Sequence, residues 1–244
     1  MRLPRFPDLL TTANLCCGTA SILLASQGQL TIACWLVFAA AIFDVFDGLA
    51  ARAMGGGTPL GAQLDSLADM VSFGVAPAFA LWTIFPWTDG HGPIAVALAA
   101  ILLCAASAWR LAKFNVDTRQ AHGFLGLPTP ANGLFWVSAL LASSAEAIPH
   151  SNFAHDARNT FASVFMHPNV VLAVAVLLSV LMLSELPLPG LKFKHGGWKG
   201  NEVIFLLIGI GVVLVLLYGI LAVPLLLVLY ILSPIWGKLF PKTT

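Results

Sequence analysis

Apolar runs about as long as a bilayer is thick recur along almost the whole chain, and they restrict its fold more than any other feature. About eight are read, at roughly 11–27, 31–52, 62–85, 93–114, 131–148, 168–185, 203–220 and 222–237. Hydrocarbon offers no partner to a peptide N–H or C=O, so a lipid-exposed run of about 20 apolar residues crosses as a helix with its own internal bonds. Only 9% of the residues are charged, against about 25% in soluble domains, which excludes an ordinary water-soluble globule. The expectation is an all-α integral membrane protein with about eight transmembrane helices in a single membrane domain, 1–244. Arg2 and Arg5 precede the first run as they would in a signal peptide. Thr11, Thr12 and Asn14 interrupt it, however, and no cleavage pattern follows, so it is read as a retained helix. A net charge of +1 gives no electrostatic basis for binding nucleic acid.

The basic residues orient the chain. With the N-terminus in the cytoplasm, eight crossings place Arg2, Arg5, Arg52, Arg110, Lys113, Arg119, Lys192, Lys194, Lys199, Lys238 and Lys242 on the cytoplasmic side and only Arg158 outside. This is the positive-inside pattern, and it puts both termini in the cytoplasm. The four cysteines, Cys16, Cys17, Cys34 and Cys104, lie in apolar context without zinc-site spacing.

Carboxylates inside spans are disfavoured by about 2.5–3.5 kcal/mol each at a helix centre on insertion scales. Yet Asp44 and Asp47 lie in the second run and Asp65 and Asp69 in the third. Asp44, Asp47, Gly48 and Ala51 follow i, i+3, i+4, i+7, one face of a helix; Gly61, Asp65 and Asp69 follow i, i+4, i+8, again one face. Asp44 is about 12 Å from the cytoplasmic end of its helix at a rise of about 1.5 Å per residue. Four carboxylates brought together there need counter-charge. Arg52 supplies one positive charge, and one or two divalent cations would supply the rest. An all-oxygen donor set suits Mg²⁺ or Mn²⁺. Taken alone, such a cluster fits an ion or proton pathway as well as an enzyme.

The full pattern is D-x2-D-G-x2-A-R-x8-G-x3-D-x3-D, running from Asp44 to Asp69. Eight such fixed residues arise by chance on the order of once in 10¹⁰ start positions at average composition. At every fixed position the pattern resembles the signature of the CDP-alcohol phosphotransferases. Over about 7–195 the chain is most similar to the membrane phosphatidylserine synthase branch of that superfamily. The stretches carrying this likeness are Pro7 to Gly18, Ser72 to Ala78, Arg110 to Val116, Phe124 to Ala131 and Leu181 to Ser184. The last two runs, about 203–237, match only as generic apolar helices. Asp8 stands where the branch usually has Asn, and Glu185 with Pro187-Leu188-Pro189 also departs from it.

The resemblance implies transfer of the phosphatidyl group from CDP-diacylglycerol to the hydroxyl of L-serine, releasing CMP. Asp44, Asp47 and Asp65 would hold a first divalent ion, and Asp44, Asp65 and Asp69 a second. Asp69 would also act as general base on the incoming hydroxyl. Gly48 and Ala51 would let the cytidine lie against the helix, Gly61 would leave room on the facing helix, Arg52 would contact phosphate, and Thr11 would add a hydroxyl contact. Gly55-Gly56-Gly57 is read first as a tight turn and second as a phosphate cradle. The serine carboxylate calls for cations, for which Arg110, Lys113 and Lys192 are the candidates, with Asn115 as a polar partner. A homodimer in a bacterial-type cytoplasmic membrane, with the site facing the cytoplasm, is also implied. The nearest rival keeps the chemistry and changes the acceptor to glycerol 3-phosphate or an inositol phosphate. A divalent-cation or proton-coupled transporter is the rival of another class. It would need a polar path through both membrane halves, and Ala33 to Ala41 and Ala76 to Phe85 hold no ionisable group except Cys34.

Overall fold

The computed structural model describes residues 4–85, 93–117, 124–144, 152–188 and 202–236. Apart from one two-residue ladder, the regular structure among them is helical. Arg2, Arg119, Lys192, Lys194, Lys199, Lys238 and Lys242, all used in the orientation argument, lie outside the described residues.

Helix α1 covers Phe6–Ser26 and α2 Leu30–Ala53. α3 (Pro59–Asp69) runs through a π-helical turn (Met70–Val75) into α4 (Ala76–Ile84). α5 spans Ile94–Val116, α6 Thr129–Ser143, α7 Asn152–Phe165 and α8 Pro168–Leu183. α9 (Glu202–Tyr218), a 3₁₀ turn (Gly219–Leu221), α10 (Ala222–Ile231) and α11 (Ser233–Trp236) complete the chain. Strands β1 (Phe124–Leu125) and β2 (Pro187–Leu188) pair antiparallel.

Five helical stretches are long and apolar enough to cross a membrane: α1, α2, Pro59–Ile84, α5 and Ile204–Ile231. A sixth is reached if α7 and α8, bent by 87° at their junction, count as one. The expected crossings at 131–148 and 168–185 appear as helices of 15 and 16 residues, short of the roughly 20 a straight span needs. For α6 the physical reason is its place. It is buried on nearly every face, with Phe135, Trp136, Val137, Leu140 and Leu141 all in the core, so it needs no lipid-length surface of its own.

The 204–231 stretch folds back on itself. A Cβ on Gly211 would lie 3.3 Å from Leu226 Cδ1, whereas 15 residues of straight helix would separate the two by about 22 Å. The fold-back is at Gly219, whose φ of 59° is open to glycine at little steric expense. This is the helical hairpin that the two C-terminal apolar runs suggest. α7 buries Ala154 and Phe165.

The π turn has a local cause. Pro77 has no N–H to give, and its ring would crowd the carbonyl of Phe73 in a regular helix. The turn widens just upstream, and the Ala76 N–H bonds to Val71 O, five residues back. The wide turn is tightly held: a Cβ on Gly133 of α6 would come within 2.8 Å of Phe73 Cα.

Large apolar side chains point outward along whole faces, among them Trp35, Ile42 and Val45 of α2 and Ile208, Val212 and Leu216 of α9. Such continuous apolar surface is unusual on a water-soluble monomer and suits contact with lipid.

Candidate active site

α1 packs against both α2 and α3, while α2 and α3 scarcely touch each other. The backbones of the two aspartate helices are thus spaced by a cleft backed by α1, and their aspartate side chains meet across it. The expected meeting of the two aspartate faces occurs through their side chains, Asp44 and Asp47 of α2 with Asp65 of α3, while α1, from which the sequence drew only a Thr11 contact, packs against both helices.

The α2–α3 connection turns at Gly55 and Gly56, with φ of 88° and 113°, a conformation strained for any side chain with a Cβ. The turn reading of this glycine run is thus the one the backbone carries, although Gly56 and Gly57 also line the cavity beside it. Thr58 then caps α3, its Oγ1 accepting from the Gly61 N–H at 2.9 Å, and Pro59 follows at the first turn. This start sets the angular position of Asp65 and Asp69 on the helix.

Asp44, Asp47 and Asp65 each offer one carboxylate oxygen, and the three oxygens lie within 4.8 Å of one another. An all-oxygen group of this size fits a hard divalent cation. Thr11 of α1 donates from Oγ1 to Asp47 Oδ2 at 2.7 Å in a buried setting. Asp69 lies outside the triad, one turn further along α3. It is 6% exposed, and it accepts from Asn14 Nδ2 at 3.2 Å. All four aspartates face one region, with three as a compact group and the fourth behind it.

In front of the triad is a cavity of about 180 Å³ whose walls include Thr11, Gly48, Ala51, Gly61 and Asp65. A Cβ added to Gly48 would meet only Arg52 Nη1, at 3.5 Å, so bare backbone faces the open space there. Arg52 itself is exposed and is not among the residues lining this cavity, whereas Arg5 and Asp8 are. Asp8 Oδ2 accepts the Arg5 backbone N–H at 2.8 Å, and Asp8 Oδ1 lies 3.1 Å from where a Gly61 Cβ would sit.

The acceptor candidates separate into two places. Asn115 reaches α3: its Nδ2 donates to Ser66 Oγ at 2.9 Å, beside Asp65 in the chain. Arg110 and Lys113 line a smaller space of about 20 Å³ with Asp117, Ser184 and Glu185. Arg110 is buried, with its guanidinium 5.5 Å from the centre of the Phe114 ring. Lys113 Nζ donates to Leu183 O at 3.1 Å. Lys192 lies outside the described residues.

The stretches that resembled the synthase branch meet on this side. Gly126 N–H bonds to Leu186 O, and Leu127 N–H to Leu181 O, so the Phe124–Ala131 stretch seats on the end of α8. The sequence reading missed Asn14 as a site residue. Its signal was present, an amide in the middle of an apolar run, but it served there to argue against a signal peptide and as part of the Pro7 to Gly18 likeness, with no role of its own.

Comparison with known proteins shows the family of the chain. The family model described as CDP-alcohol phosphatidyltransferase matches residues 5–181. A CDP-diacylglycerol–serine O-phosphatidyltransferase of Helicobacter pylori is 35% identical over 212 residues, covering 86% of this chain and 81% of the relative. The protein of that name from Methanocaldococcus jannaschii is 39% identical over 130 residues, 53% of this chain and 57% of the relative. An archaetidylserine synthase of Methanothermobacter thermautotrophicus is 40% identical over 130 residues, 51% of this chain and 52% of the relative. The chain belongs to the CDP-alcohol phosphatidyltransferase family of membrane transferases.

Proposed function

We propose that this protein transfers the phosphatidyl group of CDP-diacylglycerol to the hydroxyl of L-serine, giving phosphatidylserine and CMP. The observation that carries the reading is the convergence of Asp44, Asp47 and Asp65 at a cavity walled by Gly48, Ala51 and Gly61. The serine O–P bond forms, the phosphoanhydride P–O bond to CMP breaks, and the hydroxyl proton passes to Asp69.

Asp44, Asp47 and Asp65 would hold one divalent ion, and Asp44, Asp65 and Asp69 a second, Mg²⁺ or Mn²⁺. When bound, such ions neutralise the pyrophosphate and the charge that develops on the phosphoryl oxygens. Thr11 orients Asp47 through its hydroxyl. Gly48 and Ala51 admit the cytidine against bare helix backbone, and Arg52 at the mouth reaches a phosphate. Asn115, tied to Ser66 next to Asp65, contacts the serine. Arg110 and Lys113, with Lys192, provide positive charge for its carboxylate.

The chain works as a single membrane domain of eight crossings, with the short helices α6 and α8 each counted as one and the α9–α10 hairpin as two, both termini cytoplasmic, as a homodimer, with the site open to the cytoplasmic leaflet of a bacterial-type membrane. The positive-inside distribution supports that orientation. Family membership favours group transfer over ion passage. An acceptor panel tests the reading: purified protein with CDP-diacylglycerol and radiolabelled serine, glycerol 3-phosphate or inositol phosphate. Label entering lipid from serine alone is expected. Label from another alcohol and none from serine would assign a different acceptor.

A further inference from the structure

We infer that Asn14 is a positioning residue for Asp69, fixing that carboxylate for proton transfer without touching substrate. This rests on the proposed role of Asp69 as base.

Asn14 is fully buried, in the middle of a helix whose buried positions otherwise carry only small side chains, Thr11, Gly18, Ser21 and Ala25. Its Nδ2 donates to Asp69 Oδ1 at 3.2 Å. A carboxylate can only accept, so the amide must present its nitrogen to Asp69 and turn its oxygen away. That oxygen, Asn14 Oδ1, is buried without a hydrogen-bond partner among the described residues. A leucine has the same branched shape and would leave no such orphan. The amide is therefore poorly explained by packing and well explained by its one contact.

The backbone beneath it is pinned as well. Asn14 O accepts from Ser72 Oγ at 3.0 Å. Ser72 belongs to the π turn that begins directly after Asp69. One turn along α1, a Cβ on Gly18 would lie 2.7 Å from Ser72 Cα, so the helix meets the wide turn there at backbone distance. Two hydrogen bonds and one backbone approach thus lock α1 to the segment that carries Asp69. The side-chain bond sets the carboxylate, and the other two set the height from which it is reached. Loss of the amide leaves Asp69 in place but free to rotate about its side chain. The deficit then falls on the chemical step, because an interaction needed only in the transition state lowers kcat and leaves KM alone.

The test is steady-state kinetics on purified Asn14→Leu, Ser72→Ala and Asp69→Asn, each checked for thermal unfolding in detergent. Asn14→Leu is expected to lower kcat by about 10- to 100-fold, the worth of one bond to a charged group, with KM for CDP-diacylglycerol and for serine within about twofold. Ser72→Ala is expected to show the same split at smaller size, and it carries the comparison if Asn14→Leu does not fold. Wild-type kcat in both variants, or a loss confined to KM for CDP-diacylglycerol, would overturn the positioning role. Full turnover by Asp69→Asn would instead remove the base assignment beneath it. An inactive Asp69→Asn beside fully active Asn14 and Ser72 variants would remove the positioning role alone.

Discussion

The Thr11 hydroxyl donates to Asp47 Oδ2 at 2.7 Å across 36 positions of sequence, joining the first helix to the carboxylate triad. Asp47 is only 6% exposed, so little water is available to replace this donor. A hydrogen bond to a charged group contributes about 1.5–3 kcal/mol. Thr11→Val keeps the shape and removes the hydroxyl. Its kcat/KM is expected to fall by about tenfold or more, and half-maximal activity should need more Mn²⁺. A metal titration of activity checks both, and an unchanged curve would separate Thr11 from the triad.

Gly48 and Gly133 make a paired contrast. Open space surrounds the first and Phe73 backbone crowds the second. Gly48→Leu is expected to fold normally and to raise KM for CDP-diacylglycerol at least tenfold, since its side chain occupies the cavity. Gly133→Ala must push the π turn aside, and overpacking of this kind destabilises by about 1–3 kcal/mol. Thermal unfolding in detergent alongside lipid-substrate kinetics distinguishes them. The reverse pattern would mean that the cavity is not where the lipid headgroup binds.

Asn115 of α5 and Ser66 of α3 exchange hydrogen bonds beside Asp65 in the chain. Asn115→Leu is expected to raise KM for serine by about tenfold, as loss of one or two polar contacts would, while KM for CDP-diacylglycerol stays within about twofold. Separate titrations of the two substrates read this out. A change confined to the lipid KM would move Asn115 out of the acceptor pocket.

Topology is open to labelling. In a background lacking Cys16, Cys17, Cys34 and Cys104, Asn159→Cys on α7 is expected to react with a membrane-impermeant maleimide in right-side-out vesicles. Met54→Cys, at the end of α2, is expected to react only after permeabilisation. The opposite result would invert the orientation drawn from Lys and Arg.

The carboxylate spacing at Asp44, Asp47, Asp65 and Asp69 was legible because helical period alone puts each pair on one face. The hairpin of α9 and α10 was legible as two apolar runs meeting near Gly219 and Pro224. What could not be read depends on tertiary neighbours. Asn14 meets Asp69 and Asn115 meets Ser66 only after helices distant in sequence have packed. The π turn was hidden because Pro77 by itself predicts a kink, a break or a widened turn alike, and the close approach of Gly18 and Gly133 to that turn appears only once α1 and α6 have packed on it. α6 was expected at spanning length because its composition is that of a span. Its burial by α2, α4 and α10 is a fact of assembly that hydropathy does not contain.

The central claim, that the aspartate cluster carries a metal-dependent transfer, is tested most directly by CMP release. Purified wild type, Asp65→Asn and Asp69→Asn are compared in mixed micelles of CDP-diacylglycerol with serine, after chelation and after return of Mn²⁺ or Mg²⁺. Expected are CMP and phosphatidylserine in equal amounts from wild type, only with metal present, and background release from both variants. Turnover at the wild-type rate by either variant, or undiminished turnover in chelator, would contradict it.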